Sequence, residues 1–206
     1  MRGIKGKEMG MVFTNFKKIL MGITLAGSVF ALPTLSLAEK RGFEAFYPSS
    51  LRDYNVANCY TFVSGSAFSY AGMVEEAKSD WSRIPAANVK FHSAGSATNA
   101  DVRVYAGNYG LDYAGIIQPF YNGGYPVEDP YDFVGNWEFV TVAINDNYMS
   151  HYNYSNTNKR KTVIHEFGHV LAMAHQDSFT ESIMKQGQLN YTDPTSLDIE
   201  NIQFRY

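Results

Sequence analysis

Residues 165–175 read HEFGHVLAMAH, and no other stretch narrows the available folds as far. On an α-helix, residues four apart share a face, so His165 and His169 aim both rings at one point above the helix. Glu166 stands one residue further round, where a carboxylate can take a proton from a metal-bound water without ligating. His175 is different. Six residues past His169, a continuing helix would carry it most of the way to the opposite face. The helix must break near Ala172 for a third imidazole to arrive. Three histidines beside a glutamate make the donor set of a zinc ion whose fourth position is left to water. Asp177 offers a competing third ligand, since zinc also accepts carboxylate.

The N-terminus points to export. Lys17 and Lys18 precede an apolar run from Ile19 to Leu32, followed by Pro33 and the small-residue site Ser36-Leu37-Ala38. That is the layout of a secretory signal peptide over residues 1–38, cleaved near Ala38. An uncleaved anchor is the alternative, and Met9 or Met11 are alternative starts. The run is short for a membrane span and no later segment approaches one, so no stable membrane insertion is expected after cleavage. Residues 39–206 suit one domain with a sizeable core. The whole chain has a formal charge of −3. Removing the signal takes away Arg2, Lys5, Lys7, Lys17 and Lys18 against only Glu8, so the remainder is more acidic still. Nucleic acid is therefore excluded as a natural partner. The single cysteine, Cys59, permits no internal disulfide and reads as a buried core residue.

Glu39–Asn58 shows no strong period and reads as an N-terminal arm lying on the domain. Cys59–Val63 reads as the first strand. Tyr70, Val74, Ala77, Trp81 and Ile84 form one helical stripe, which predicts a long helix from about Ser66 to Arg83, closed by Pro85. Asn88–His92 and Asp101–Ala106 alternate as strands do. Residues 107–136 are rich in Gly, Tyr, Pro and Asn, with a short apolar piece at Gly115–Phe120 that reads as an edge strand. Phe139–Ile144 is almost wholly apolar, as in a strand covered on both faces. Thr157 or Asn158 is the expected cap of a helix starting around Lys159. Asp193-Pro194 is expected to open a terminal helix. The order gives an α/β or α+β sandwich with at least part of its sheet parallel.

Three separated motifs together resemble the metzincin zinc endopeptidases, most closely the matrixin (matrix-metalloprotease-like) catalytic domain in a bacterial secreted form. They are HEFGHVLAMAH against the family's HExxHxxGxxH, Ser182-Ile183-Met184 against its methionine turn, and Asp198-Ile199-x-x-Ile202-Gln203-x-x-Tyr206 against its closing helix. The resemblance covers most of residues 59–206, taken as the catalytic domain. It implies a zincin-like α/β (α+β) fold: a twisted five-stranded, mostly parallel sheet with one antiparallel edge strand, two long helices and a C-terminal helix. A substrate cleft would run along the edge strand near Gly115–Phe120, where an extended peptide adds as a further strand. The chain departs from the family at Ala172, where the family has glycine. A left-handed alanine there costs about 1–2 kcal/mol.

The function expected is that of a secreted, extracellular zinc endopeptidase. It would hydrolyse peptide bonds of proteins through a zinc-activated water, with His165, His169 and His175 as ligands and Glu166 as general base. A monomer acting on protein or peptide substrates is expected. A secreted zinc-binding module that recognises proteins without cutting them is the alternative. Asp112, Glu128, Asp129 and Asp132 leave calcium open as a second cation, although their spacing matches no calcium loop. A second zinc is doubtful, because only His92 and His151 remain to hold one, and both read as surface residues. Tyr191 is either a wall residue donating to an oxyanion or a packing residue.

Overall fold

A computed structural model describes residues 39–206. The expected signal peptide, residues 1–38, lies outside the described residues. In chain order the elements are β1 (Ser50–Leu51), α1 (Asp53–Val56), β2 (Cys59–Val63), a 3-10 turn (Gly65–Tyr70), α2 (Ala71–Ser82), β3 (Phe91–Ser93), β4 (Val102–Gly107), β5 (Gly115–Tyr121), β6 (Tyr125–Pro126), β7 (Asn136–Trp137), β8 (Phe139–Asn145), α3 (Asp146–His151), α4 (Asn156–Val170) and α5 (Ser196–Arg205). The main sheet has the order β3-β2-β4-β8-β5-β6, and β1 pairs with β7 separately. The β2–β3, β2–β4 and β4–β8 pairs are parallel, while β5 runs antiparallel to both β8 and β6. The expected mixed α/β architecture with a mostly parallel sheet is present. No helix among the described residues is long and apolar enough to cross a membrane.

The sheet differs from the five-stranded expectation by one strand. Asn122, Gly123 and Gly124 all have positive φ, which turns the chain tightly enough for Tyr125–Pro126 to pair back on β5. A two-residue strand has no period to read, so the sequence presents it as loop. Other boundaries shift as well. The helix expected from Ser66 opens as a 3-10 turn and becomes α-helical only at Ala71. The strand expected at Asn88–His92 is Phe91–Ser93. The arm, which shows no strong period in sequence, contains β1, α1 and a 3-10 turn at Gly42–Ala45.

The predicted stripe on α2 is the packing face. Tyr70, Val74, Ala77, Trp81 and Ile84 are buried, and the Trp81 Nε1–H donates to the Ile164 carbonyl of α4 at 3.0 Å. Phe167 of α4 meets Phe91 edge-on, with ring centroids 5.3 Å apart. Every residue of β8 after Phe139 is buried, as its unbroken apolar run requires. Burial of aromatics of this size contributes about 3–5 kcal/mol each, judged by truncation to alanine. These contacts fix α4, which carries His165, Glu166 and His169.

Candidate metal centre

The N-terminus of α4 is capped by Ser155 in a capping box with Asn158, ahead of the expected Thr157 or Asn158. Asn158 is instead the third helical residue, and its amide also donates to the Leu189 carbonyl and to Asn190. Starting the helix there brings His165, Glu166 and His169 onto its inward side, all buried. The His165 Nδ1 lies 2.8 Å from the Ile183 carbonyl and the His169 Nδ1 lies 2.7 Å from the Met173 carbonyl. A carbonyl only accepts, so each Nδ1 carries the proton and each Nε2 is left with a lone pair.

The helix stops as the sequence demands. Ala172 N–H donates to the His169 carbonyl and Met173 N–H to the Gly168 carbonyl, and Ala172 has φ +60°. These are the paired bonds of a Schellman motif with alanine in the left-handed position that glycine usually occupies. The chain then doubles back, and His175 arrives with its Nε2 3.0 Å from the His169 Nε2, which is itself 3.1 Å from the His165 Nε2. The return is pinned by the N-terminal arm: Tyr47 N–H donates to the Ala172 carbonyl and Ala174 N–H to the Ala45 carbonyl.

The three imidazoles are the one His, Cys, Asp or Glu cluster among the described residues able to hold a metal. Their chemistry fits a zinc ion. Burial, the main cause in each case, pushes His165 and His169 well below the ordinary histidine range and His175 down to about 4, so all three are neutral at pH 7. Neutral rings with lone pairs converging at 3.0–3.1 Å repel one another unless a cation lies between them. Tetrahedral ligands about 2.0–2.1 Å from zinc sit roughly 3.3 Å apart, close to this spacing.

Glu166 completes the site. Its side chain is buried, burial pushes its pKa up to about 8, and its Oε2 has no hydrogen-bond partner. A buried carboxylate oxygen with no partner, on the residue next to His165, is a place suited to a group from outside the chain. The other wall is β5, where Gly115 leaves the space: a Cβ there would lie 2.7 Å from Glu166 Oε1. Beneath the cluster, fully buried Met184 packs on Gly168, where a Cβ would meet its sulfur at 2.3 Å. The turn at residues 182–184 is tied to α5 through buried Asp198, which accepts from Ser182 Oγ and, at 2.8 Å, from the Ile183 N–H. Asp198 also accepts from Thr195 N–H, so the terminal helix begins after Thr195, two residues later than Asp193-Pro194 suggested. The capping box explains the shift.

The remaining candidates lie elsewhere. Asp177 accepts from the Phe179 and Thr180 backbone and takes no part in the cluster. Cys59 is buried and free. His92 and His151 are exposed. Asp112, Glu128, Asp129 and Asp132 are also exposed and form no metal cluster among the described residues, and Asp129 caps the Tyr131 N–H instead, so calcium is unsupported. Tyr191 packs half-buried against the core. Three residues that touch the site went unread in the sequence. Lys161, one turn before His165, is buried, donates to the Lys185 carbonyl and is pushed down to about 8 by that burial; its i, i+4 spacing to His165 was a readable signal. Gly115 was readable only as part of the expected edge strand, and Tyr47 gave no signal.

Comparison with models of known protein families finds no match for this chain, and comparison with curated proteins finds none. Among solved structures, the chain is similar to myroilysin, at 17% sequence identity and a TM-score of 0.44, over 70% of this chain and 90% of that one.

Proposed function

We propose that this chain is a secreted zinc endopeptidase of the metzincin type, matrixin-like in form, acting on protein or peptide substrates. The observation that carries this reading is the convergence of three neutral Nε2 atoms, together with the buried, unpartnered Oε2 of Glu166, the residue next to His165. A purely structural zinc site needs four protein ligands and no spare carboxylate. In this reading His165, His169 and His175 hold the ion. Zinc, when bound, supplies the Lewis acidity that polarises a peptide carbonyl and acidifies the attacking water.

The chain's own residues do the rest. Glu166 accepts the water proton at Oε2 and returns it to the leaving amine nitrogen. Burial raises its pKa to about 8 against the opposing pull of Lys161, and a bound divalent cation would draw it further down, which poises the group near neutrality. Ile183 and Met173 carbonyls hold two imidazoles in the ligating tautomer. β6 pairs with β5 only at Phe120 and Tyr121, so the outer edge beside Gly115–Ile117 has no strand partner among the described residues. An extended substrate pairing there would pass directly over Glu166. The test is metal-dependent cleavage. Chelation should abolish hydrolysis of casein and one equivalent of zinc should restore it; a protein that binds zinc yet cleaves nothing in a proteome-derived peptide library is the binding module instead.

A further inference from the structure

The N-terminal arm reaches into the metal centre itself. Phe46 forms an antiparallel bridge with Met173, Tyr47 N–H donates to the Ala172 carbonyl at 2.8 Å, and Ala174 N–H donates to the Ala45 carbonyl at 2.7 Å. Lys40 and Gln176 exchange a reciprocal pair, with Lys40 N–H on Gln176 Oε1 at 2.9 Å and Gln176 Nε2 on the Lys40 carbonyl at 2.8 Å. The arm therefore lies along the whole segment that brings His175 back. At its centre is Tyr47, buried, with its ring stacked on His169 at 5.8 Å between centroids and 29° between planes.

The Tyr47 hydroxyl stands 3.1 Å from His169 Nδ1, the same nitrogen whose proton goes to the Met173 carbonyl at 2.7 Å. With that proton on Nδ1, the hydroxyl oxygen is a second acceptor. Tyr131 meets the Tyr47 ring edge-on at 4.8 Å. On the far side lies Trp137, whose indole N–H donates to Ser49 Oγ at 2.9 Å. The ring is thus gripped on three sides and its oxygen has little freedom to move.

We propose that Tyr47 is a positioning residue for the metal centre: its hydroxyl and the Met173 carbonyl together fix His169 so that Nε2 faces His165 and His175. A ring held by one acceptor can still pivot about that bond, whereas two acceptors and a stacked face define its plane. An acceptor on the Nδ1 side also strengthens Nε2 as a donor to a cation. Part of the zinc affinity thus comes from an arm more than a hundred residues away in sequence. This rests on the zinc reading above.

The test compares Tyr47→Phe with Tyr206→Phe. The Tyr206 hydroxyl donates to the Leu171 carbonyl at 3.0 Å, so its loss also removes a hydrogen bond from the same turn but leaves no imidazole without a partner. Zinc dissociation constants by chelator competition, visible spectra of the cobalt-loaded proteins and metal-free melting temperatures are measured for each. Tyr47→Phe should weaken zinc binding about 10- to 100-fold and alter the cobalt spectrum, while Tyr206→Phe stays within about threefold with an unchanged spectrum. Equal losses in both variants, or none in Tyr47→Phe, overturn the proposal and leave the zinc reading standing. If Tyr47→Phe melts early, the comparison is made below its transition, where the cobalt spectrum still reports the ligand geometry. A wild-type protein that takes up no zinc overturns both.

Discussion

Gly115 offers the sharpest mutational test of the site. An added Cβ would lie 2.7 Å from Glu166 Oε1, 2.8 Å from its Cγ and 2.9 Å from its Cδ, whereas unstrained contacts begin at about 3.5 Å. Gly115 is absent from the positive-φ glycines, so alanine suits its backbone, and the three atoms nearest the added carbon all belong to Glu166. Glu166 is fixed at its Cα by α4, and the displacement must be taken up at the carboxyl end by on the order of 0.6 Å or more. Misplacing a reacting group by about 1 Å costs on the order of a hundredfold in rate. Gly115→Ala should therefore lower kcat/KM by about 10- to 100-fold, or about 1.4–2.7 kcal/mol of transition-state stabilisation. Zinc should remain at one per chain, because no imidazole is touched. Overpacking adds about 1–3 kcal/mol of lost stability, which urea unfolding measures separately. The assay is peptide hydrolysis at matched zinc occupancy. Activity within threefold of wild type would show that the position of Glu166 does not govern the reaction.

Two further outcomes follow from backbone and charge. At Ala172, glycine would relieve about 1–2 kcal/mol of left-handed strain but lose a buried methyl worth about 0.8 kcal/mol and add about 0.5–1 kcal/mol of chain entropy. Ala172→Gly should thus leave metal-free stability within about 1 kcal/mol, while β-branched Ala172→Val should lose more than about 2 kcal/mol; a valine variant as stable as wild type in urea would contradict the strain. In the metal-free protein the depressed histidines are neutral when folded but bind protons when unfolded, so they make stability rise with pH through their ordinary 6.5. Glu166, raised from 4.5 to about 8, keeps its proton when folded while the unfolded chain has lost it, so it makes stability fall with pH through that interval. Between pH 6.5 and 7.5 the three histidines together still add about 1 kcal/mol while Glu166 removes about 1.2 kcal/mol, so wild-type stability stays nearly flat, and Glu166→Gln, which keeps only the histidine contribution, should gain about 1 kcal/mol. Urea titrations of both proteins with metal removed check this, and a variant whose stability changes with pH over that interval as the wild type's does would refute it.

The parts of the site readable in the sequence are those set by local geometry. His165, Glu166 and His169 lie within five consecutive residues, and helical spacing alone puts them together. The break at Ala172 was legible for the converse reason, since an unbroken helix carries His175 away. What could not be read depends on packing between distant segments. Nothing in the unpatterned arm marks Tyr47 for His169, which lies 122 positions away. Gly115 was readable as part of an edge strand, but the carboxylate filling its missing side chain is a product of α4 resting on β5. Caps failed at intermediate range. Ser155 and Thr195 compete with neighbouring residues of similar chemistry, and Asp198 decides the second case by bonding both Thr195 and Ile183.

The central claim is that Glu166 works as a base beside an ion held by three histidines, and the Glu166→Ala protein tests it most directly. Zinc per chain and the rate of casein cleavage are measured on the same sample. Zinc should stay at one per chain while cleavage falls by about 10²- to 10⁴-fold, the usual contribution of a general base. Cleavage at the wild-type rate with zinc still bound would contradict the claim.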